Sequence, residues 1–245
     1  MRMKYASFGL GLLLAMPALA DEPAQTLPRE EIEKIVREYL LREPEVIYQA
    51  IQELQKRREM AAAEQQQKMI VARKDDIFSN AADPVTNAGG DVTLVQFFDY
   101  KCGYCRGMAA GLQGLIAGDQ KLRVVYKEFP VLGPDSVVAA RAALAAAEQG
   151  QDKYEAFHNA LMKTKDLSLD TIKATAAQVG LDVDRLVADM QKESIEQQLA
   201  ANHALAQDLG ISGTPSFVIG TKLIPGAIDI AQLEAIVAEE RSATN

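Results

Sequence analysis

The sequence predicts an α/β domain that carries an all-helical insertion and is preceded by a helical arm. Three observations predict it. A β-branched and aromatic run, VTLVQFF, is followed by a helical stretch and a second apolar run, KLRVVYKEF, which makes a strand, helix, strand unit of the right-handed parallel kind. From 136 to 209 the pattern is almost continuously helical. Ahead of residue 80, two short apolar stripes recur at three- and four-residue spacing with no partner in their own segment.

Composition sets the outer bounds. The chain has 245 residues, 48% hydrophobic and 24% charged, with 16 Gly and 9 Pro, which is ordinary globular stock with enough apolar material for one sizeable core. Its 26 Lys and Arg against 34 Asp and Glu give a formal charge of -8; without Arg2 and Lys4 the balance is 24 against 34, or -10. That speaks against generic binding to nucleic acid or anionic membranes, both of which need basic surface.

The first twenty residues, MRMKYASFGLGLLLAMPALA, have a basic start, an apolar run and a small-x-small ending at Ala18-Leu19-Ala20. This is the pattern of a secretory signal over 1–20, cleaved before Asp21; as a membrane anchor the run is short of the roughly 20 residues a span needs. No later segment is apolar enough to span a bilayer, so the mature protein is expected to be exported and soluble, in a periplasm.

An arm and linker are expected over 21–80. Thr26 is placed to cap a helix that brings Ile32, Ile35, Val36, Tyr39 and Leu40 onto one face, with Glu30 and Glu31 near its positive end. Pro44 interrupts it and suits the first turn of a second helix carrying Val46, Ile47, Ala50, Ile51 and Leu54. Oligomerisation through these stripes is the favoured reading, with docking on the main core as the alternative. Over 55–68, QKRREMAAAEQQQK holds helix formers but almost no large apolar residue, which predicts a semi-rigid or melting linker and no long coiled coil.

The main domain is expected over 81–245. Asp83-Pro84 and Asn87-Ala88-Gly89-Gly90 read as turns before the first strand. The insertion, about 134–209, breaks at 150–152, 166–168 and 180–182, with Ser168 and Asp182 as caps, and has room for four or five helices. SFVIG and KLI read as a hairpin turning at Gly220-Thr221, and Asp229 opens a last helix.

Only two cysteines exist, Cys102 and Cys105, in Cys102-Gly103-Tyr104-Cys105 at the junction of strand and helix. Two are too few for a disulfide scaffold. A helix N-terminus stabilises a thiolate, and cysteines so placed titrate at roughly 3.5 to 7.5. Cys102 is therefore the expected nucleophile and Cys105, one turn on, the thiol that resolves a mixed disulfide. Zinc needs four ligands, and beyond the cysteines the chain offers only His158 and His203, read as surface or interface residues on separate helices. A permanent disulfide across two residues would clamp almost no chain entropy. Copper(I) suits the dithiol because thiolates are soft ligands, but no resident cofactor or metal is expected. Downstream, Gly213-Thr214-Pro215-Ser216-Phe217 places a proline at a strand entry; read beside the CxxC, Thr214-Pro215 is expected to be cis and to face the sulfurs.

FFDYKCGYC, then KEFP, then Gly213-Thr214-Pro215 before a hairpin resemble the DsbA-like branch of the thioredoxin superfamily. Within it, the signal, REYLLREPEVIYQAIQELQ and the CGYC core are similar to the suppressor-of-copper-sensitivity C proteins of the bacterial periplasm. The resemblance implies a thioredoxin fold with an inserted helical domain and a disulfide isomerase, trimeric through its N-terminal helices. It also implies a membrane-bound thiol reductase as electron donor, misfolded or copper-oxidised exported proteins as clients, and a link to copper tolerance. Residue by residue, it makes Cys102 the nucleophile, Cys105 the resolving thiol, Gly103 and Tyr104 the tuners of redox poise, and Thr214 with Pro215 the substrate-facing loop. The strong oxidases of the family carry an acidic residue six places before the first cysteine, where this chain has Gln96. Asp99 and Lys127 are the candidates to supply a buried charge near Cys105 for proton transfer, against the reading that both are solvated strand ends.

Overall fold

A computed structural model describes residues 27–244; the expected signal over 1–20 and the expected cap Thr26 lie outside the described residues. The chain divides into two compact units after Arg57.

In the first unit, α1 (Arg29–Arg42) starts behind Pro28, with Glu30 and Glu31 in its first turn and Arg42 in its last, which suits the helix dipole. Pro44 stands immediately before α2 (Glu45–Ala72), whose first turns complete the unit. Nothing in α1 is buried. Ile32, Ile35, Val36, Tyr39, Ile47, Ile51 and Leu54 are 43 to 51% exposed.

Helix α2 continues unbroken through the segment where a semi-rigid or melting linker is expected, which agrees with the semi-rigid reading and not the melting one. Strong helix formers and the four-apart pairs Glu53–Arg57 (2.7 Å) and Glu64–Lys68 (2.6 Å) support it. The second unit then begins earlier than residue 81. Ile70 is 1% exposed, α3 (Lys74–Phe78) buries Ile77 completely, and Gln66 Nε2 donates to the carbonyl of Leu209 at 3.3 Å.

The sheet holds β1 (Val85–Thr86), β2 (Val92–Phe98), β3 (Leu122–Glu128), β4 (Ser216–Ile219) and β5 (Lys222–Pro225), in the order β1-β3-β2-β4-β5. Strands β2 and β3 are parallel, joined through α4 (Gly103–Gly118); the other pairs are antiparallel. The two-residue β1, in a segment read as turns, is too short to leave an alternation in the sequence. Helices α5 (Pro134–Ala147), α6 (Gln151–Lys163), α7 (Leu169–Gln178), α8 (Val183–Asp189) and α9 (Glu193–Asp208) fill the insertion, and α10 (Ile230–Thr244) closes the chain. Asp182 caps α8 through the N–H of Arg185 at 3.0 Å. Ser168 stands at the start of α7 without a cap bond, its hydroxyl bonded to Asp166 and Thr171 instead.

Both faces of the sheet are covered, which is why its central strands read as near-continuous apolar runs. Leu94, Phe98, Val124, Tyr126 and Phe217 face the larger core, with α4 and the insertion. Val95, Phe97, Val125 and Val218 face a smaller one with Ile70, Ile77 and Leu209.

Candidate redox site

Strand β2 ends at Phe98 and delivers the chain to Asp99, which the turn to Cys102 depends on. The Asp99 carboxylate is 1% exposed and accepts four bonds: from the N–H of Lys101 (2.7 Å) and the hydroxyl of Ser136 (2.8 Å) on one oxygen, and from the N–H groups of Val131 (2.8 Å) and Leu132 (2.9 Å) on the other. It ties the loop after β2, the loop after β3 and the start of α5 to one point.

Cys102 is the N-cap residue of α4. Its Sγ accepts the N–H of Cys105 at 3.4 Å and donates to the carbonyl of Thr214 at 3.2 Å. The Thr214-Pro215 peptide bond is cis, and Ser216 follows as the first residue of β4, paired with Phe97. Both cysteines are free thiols. Cys102 is 5% exposed and Cys105 fully buried, and burial pushes the Cys105 thiol up to about 12. Tyr104, between them, is 72% exposed. The arrangement offers one sulfur at a helix N-terminus and one sheltered sulfur a turn behind, as disulfide exchange requires.

Lys127 is not brought to the sulfurs. In the parallel register it pairs with Phe97, on the face of the smaller core, and its fully buried amine binds the Asp83 carboxylate and the Asp76 carbonyl, the latter at 2.6 Å. Asp99 lies beside the site, but its carboxylate is occupied by the four loop donors, so neither residue is a solvated strand end.

The larger core contains polar groups that sequence reasoning missed. Glu128 is 1% exposed; its Oε1 accepts the hydroxyls of Tyr100 (3.0 Å) and Tyr154 (3.3 Å), and its Oε2 has no partner. Burial, which those two bonds only partly offset, holds its carboxyl well above the usual range. His158 is no surface residue: it is 6% exposed, its Nδ1 lies 3.0 Å from the Tyr100 hydroxyl, and burial pushes it down to about 3. His203 is exposed, its ring tilted against that of Phe129 with centroids 5.6 Å apart. Gln96 is buried with its Oε1 unpartnered. The signal for the cluster was present in the spacing: Tyr126 and Glu128 are two apart on a strand, and Tyr154 and His158 four apart on a helix. Among the described residues no group of three or more His, Cys, Asp or Glu is placed to hold a metal ion.

The family models match two segments: a DSBA-like thioredoxin domain over residues 93–238 and the copper resistance protein ScsC N-terminal domain over residues 29–61. The chain spans about a quarter of the length of the first curated relatives it matches; the Na(+)/H(+) antiporter NhaA of Herminiimonas arsenicoxydans is 30% identical over 155 residues, which are 62% of this chain and 24% of that one. A thioredoxin-like oxidoreductase from Silicibacter pomeroyi is 45% identical with a TM-score of 0.65, covering 69% of this chain and 97% of its own. A linker-deletion mutant of ScsC from Proteus mirabilis is 27% identical with a TM-score of 0.69, covering 93% of this chain and 100% of its own. The fold, the paired motifs and the match over 93–238 agree, and the chain belongs to the DSBA-like thioredoxin domain family.

Proposed function

We propose that this protein is a periplasmic thiol-disulfide oxidoreductase whose main reaction is the reshuffling of non-native disulfides in exported proteins. The observation that carries the reading is the Cys102 sulfur, set between the N–H of Cys105 and the carbonyl of Thr214 with the second thiol buried behind it. The Cys102 thiolate attacks one sulfur of a client disulfide, a mixed disulfide forms, and the other client sulfur leaves as thiolate. A client thiolate then attacks the mixed disulfide and regenerates Cys102, which completes an isomerisation without net redox change. Where no client thiol arrives, Cys105 attacks Cys102, the client leaves reduced, and the new Cys102–Cys105 disulfide needs a membrane-bound thiol reductase to reopen it. Gly103 and Tyr104 set the poise of that disulfide, and Thr214 with Pro215 presents backbone to the client.

The apolar stripe of the first unit, exposed among the described residues, supports assembly into a homo-oligomer, with a trimer favoured over a dimer. Linked protomers hold several sites around one client and raise effective concentration. A second reading, an oxidase that works as a monomer, is favoured by the complete core of the second unit. A third, copper(I) capture by the reduced dithiol, follows from ligand softness. The experiment is refolding of a scrambled disulfide protein by residues 21–245 beside residues 58–245. Reshuffling that is lost with the arm supports the isomerase; rapid oxidation of a reduced client by both, with reshuffling by neither, replaces it with the oxidase. Stoichiometric copper without turnover would replace both.

A further inference from the structure

We propose that Glu128, through Tyr100 and His158, takes up the proton of the Cys105 thiol when that thiol resolves a mixed disulfide, by way of a water held in the cavity beside Cys105. The inference rests on the reading in which Cys102 attacks and Cys105 resolves.

A buried thiol cannot attack until it loses a proton, and nothing on the loop around the sulfurs is placed to take it. The Asp99 carboxylate is occupied by four donors and Lys127 lies on the other face of the sheet. A small cavity does reach Cys105. Gln96, Tyr126, His158 and Asn159 line it with Cys105, and its volume of about 10 Å3 is close to the room one water needs. A water there has the polar partners it requires: the unpartnered Gln96 Oε1, the thiol and the imidazole. His158 is held in place by the rings of Phe98 and Tyr126, both at 4.9 Å, and leads onward through the 3.0 Å contact of Nδ1 with Tyr100, whose hydroxyl is 3.0 Å from Glu128 Oε1. The cavity is lined by both the thiol and His158, and the chain of contacts runs from His158 to the carboxyl.

The step balances. Cys105 gives its proton to the water, and the water passes one to His158 Nε2. Nδ1 releases its own to Tyr100, and the tyrosine hydroxyl proton goes to Glu128 in its ionised form, which burial makes a strong base and confines to the alkaline side of its raised folded range. The Cys105 thiolate then forms the bond to Cys102 as the Cys102–client bond breaks, and the client sulfur leaves with the electron pair. His158 is suited to passing a proton, not to keeping one, since burial opposes its doubly protonated form. The groups facing this route are Tyr126 from β3, Tyr154 from α6, Asp99 and Tyr100 from the loop after β2, and Cys102 beside the thiol.

The test is the reaction of the reduced full chain with oxidised glutathione, quenched in acid and read by mass as the Cys102–glutathione adduct and its disappearance. Glu128→Gln keeps an acceptor for both tyrosines but cannot take the proton, and Tyr100→Phe keeps the ring but removes the hydroxyl. Each is expected to slow resolution by about a hundredfold or more, the low end of the range for proton transfer by a positioned group, and to lose the lower inflection of its pH profile, with adduct formation unchanged. Glu128→Asp is expected to restore that inflection in part. Wild-type resolution rates and pH profiles in both variants would overturn the proposal, as would an equal slowing of formation and resolution. An adduct that forms and resolves in wild type but is unmoved in the variants removes only this inference. Failure of wild type to form any adduct removes the exchange reading with it.

Discussion

The two units treat the same kind of residue in opposite ways. In the first, isoleucines at helical spacing stand about half exposed, Ile32 at 47% and Ile35 at 51%; in the second, Ile70 and Ile77 are at 1% and 0%. A soluble chain seldom exposes an apolar stripe of this length without a use for it. The contrast teaches that the second unit buries its apolar residues, whereas the described part of the first leaves an apolar face exposed.

The comparison breaks most sharply if chemistry and assembly prove inseparable. Cys102→Ser is expected to abolish exchange with glutathione and leave the solution mass unchanged; loss of both would show the units to be coupled. Next in size is the buried pair in the second unit. Asp83→Asn leaves the Lys127 amine fully buried without the carboxylate bonded to it, a change that typically costs about 3–5 kcal/mol, read by urea unfolding. Ile77→Ala follows at about 2–5 kcal/mol, the usual range for truncating a buried isoleucine. A protein that begins at residue 81 should lose more than either, since it lacks both Ile70 and Ile77.

The pH dependence is smaller and has two signs. His158 is pushed down to about 3 when folded, so the unfolded chain binds a proton that the native one refuses, and stability falls as pH drops from about 6.5 towards 3. Glu128 is raised, so its contribution is present in acid and is lost as pH rises from its ordinary range through its folded one. His158→Gln should flatten the acid limb in unfolding measured at pH 4 and 7; equal losses in both proteins would contradict a buried neutral imidazole. Least of all, Ile35→Asp should lower the mass to one chain and move the melting of the second unit by less than about 0.5 kcal/mol, the scale of an ordinary surface substitution.

Much of the site was legible because its chemistry is local. A cysteine at a strand-to-helix junction, a second one turn later and a proline at a strand entry are each readable from a few residues. Lys127 and His158 were misread because their surroundings are not local. Alternation puts Lys127 and Glu128 on opposite faces, but which face meets the sulfurs is decided by the register of β3 on β2 and by the helices packed above. The burial of His158 depends on three aromatic rings from β2, the loop after it and β3, and only one from its own helix.

By itself the sequence determined the α/β class, the order of the main elements, the thiol pair and the apolar stripes, because periodicity, turn residues and motif spacing are carried by neighbours in the chain. Only the tertiary structure decided where the second unit begins, which charged side chains are buried and with whom, and that Cys105 shares a cavity with a histidine from the insertion. Burial and pairing are properties of surfaces brought together from distant positions, and solvation, which sets what a buried acid or thiol can do, exists only once those surfaces have met.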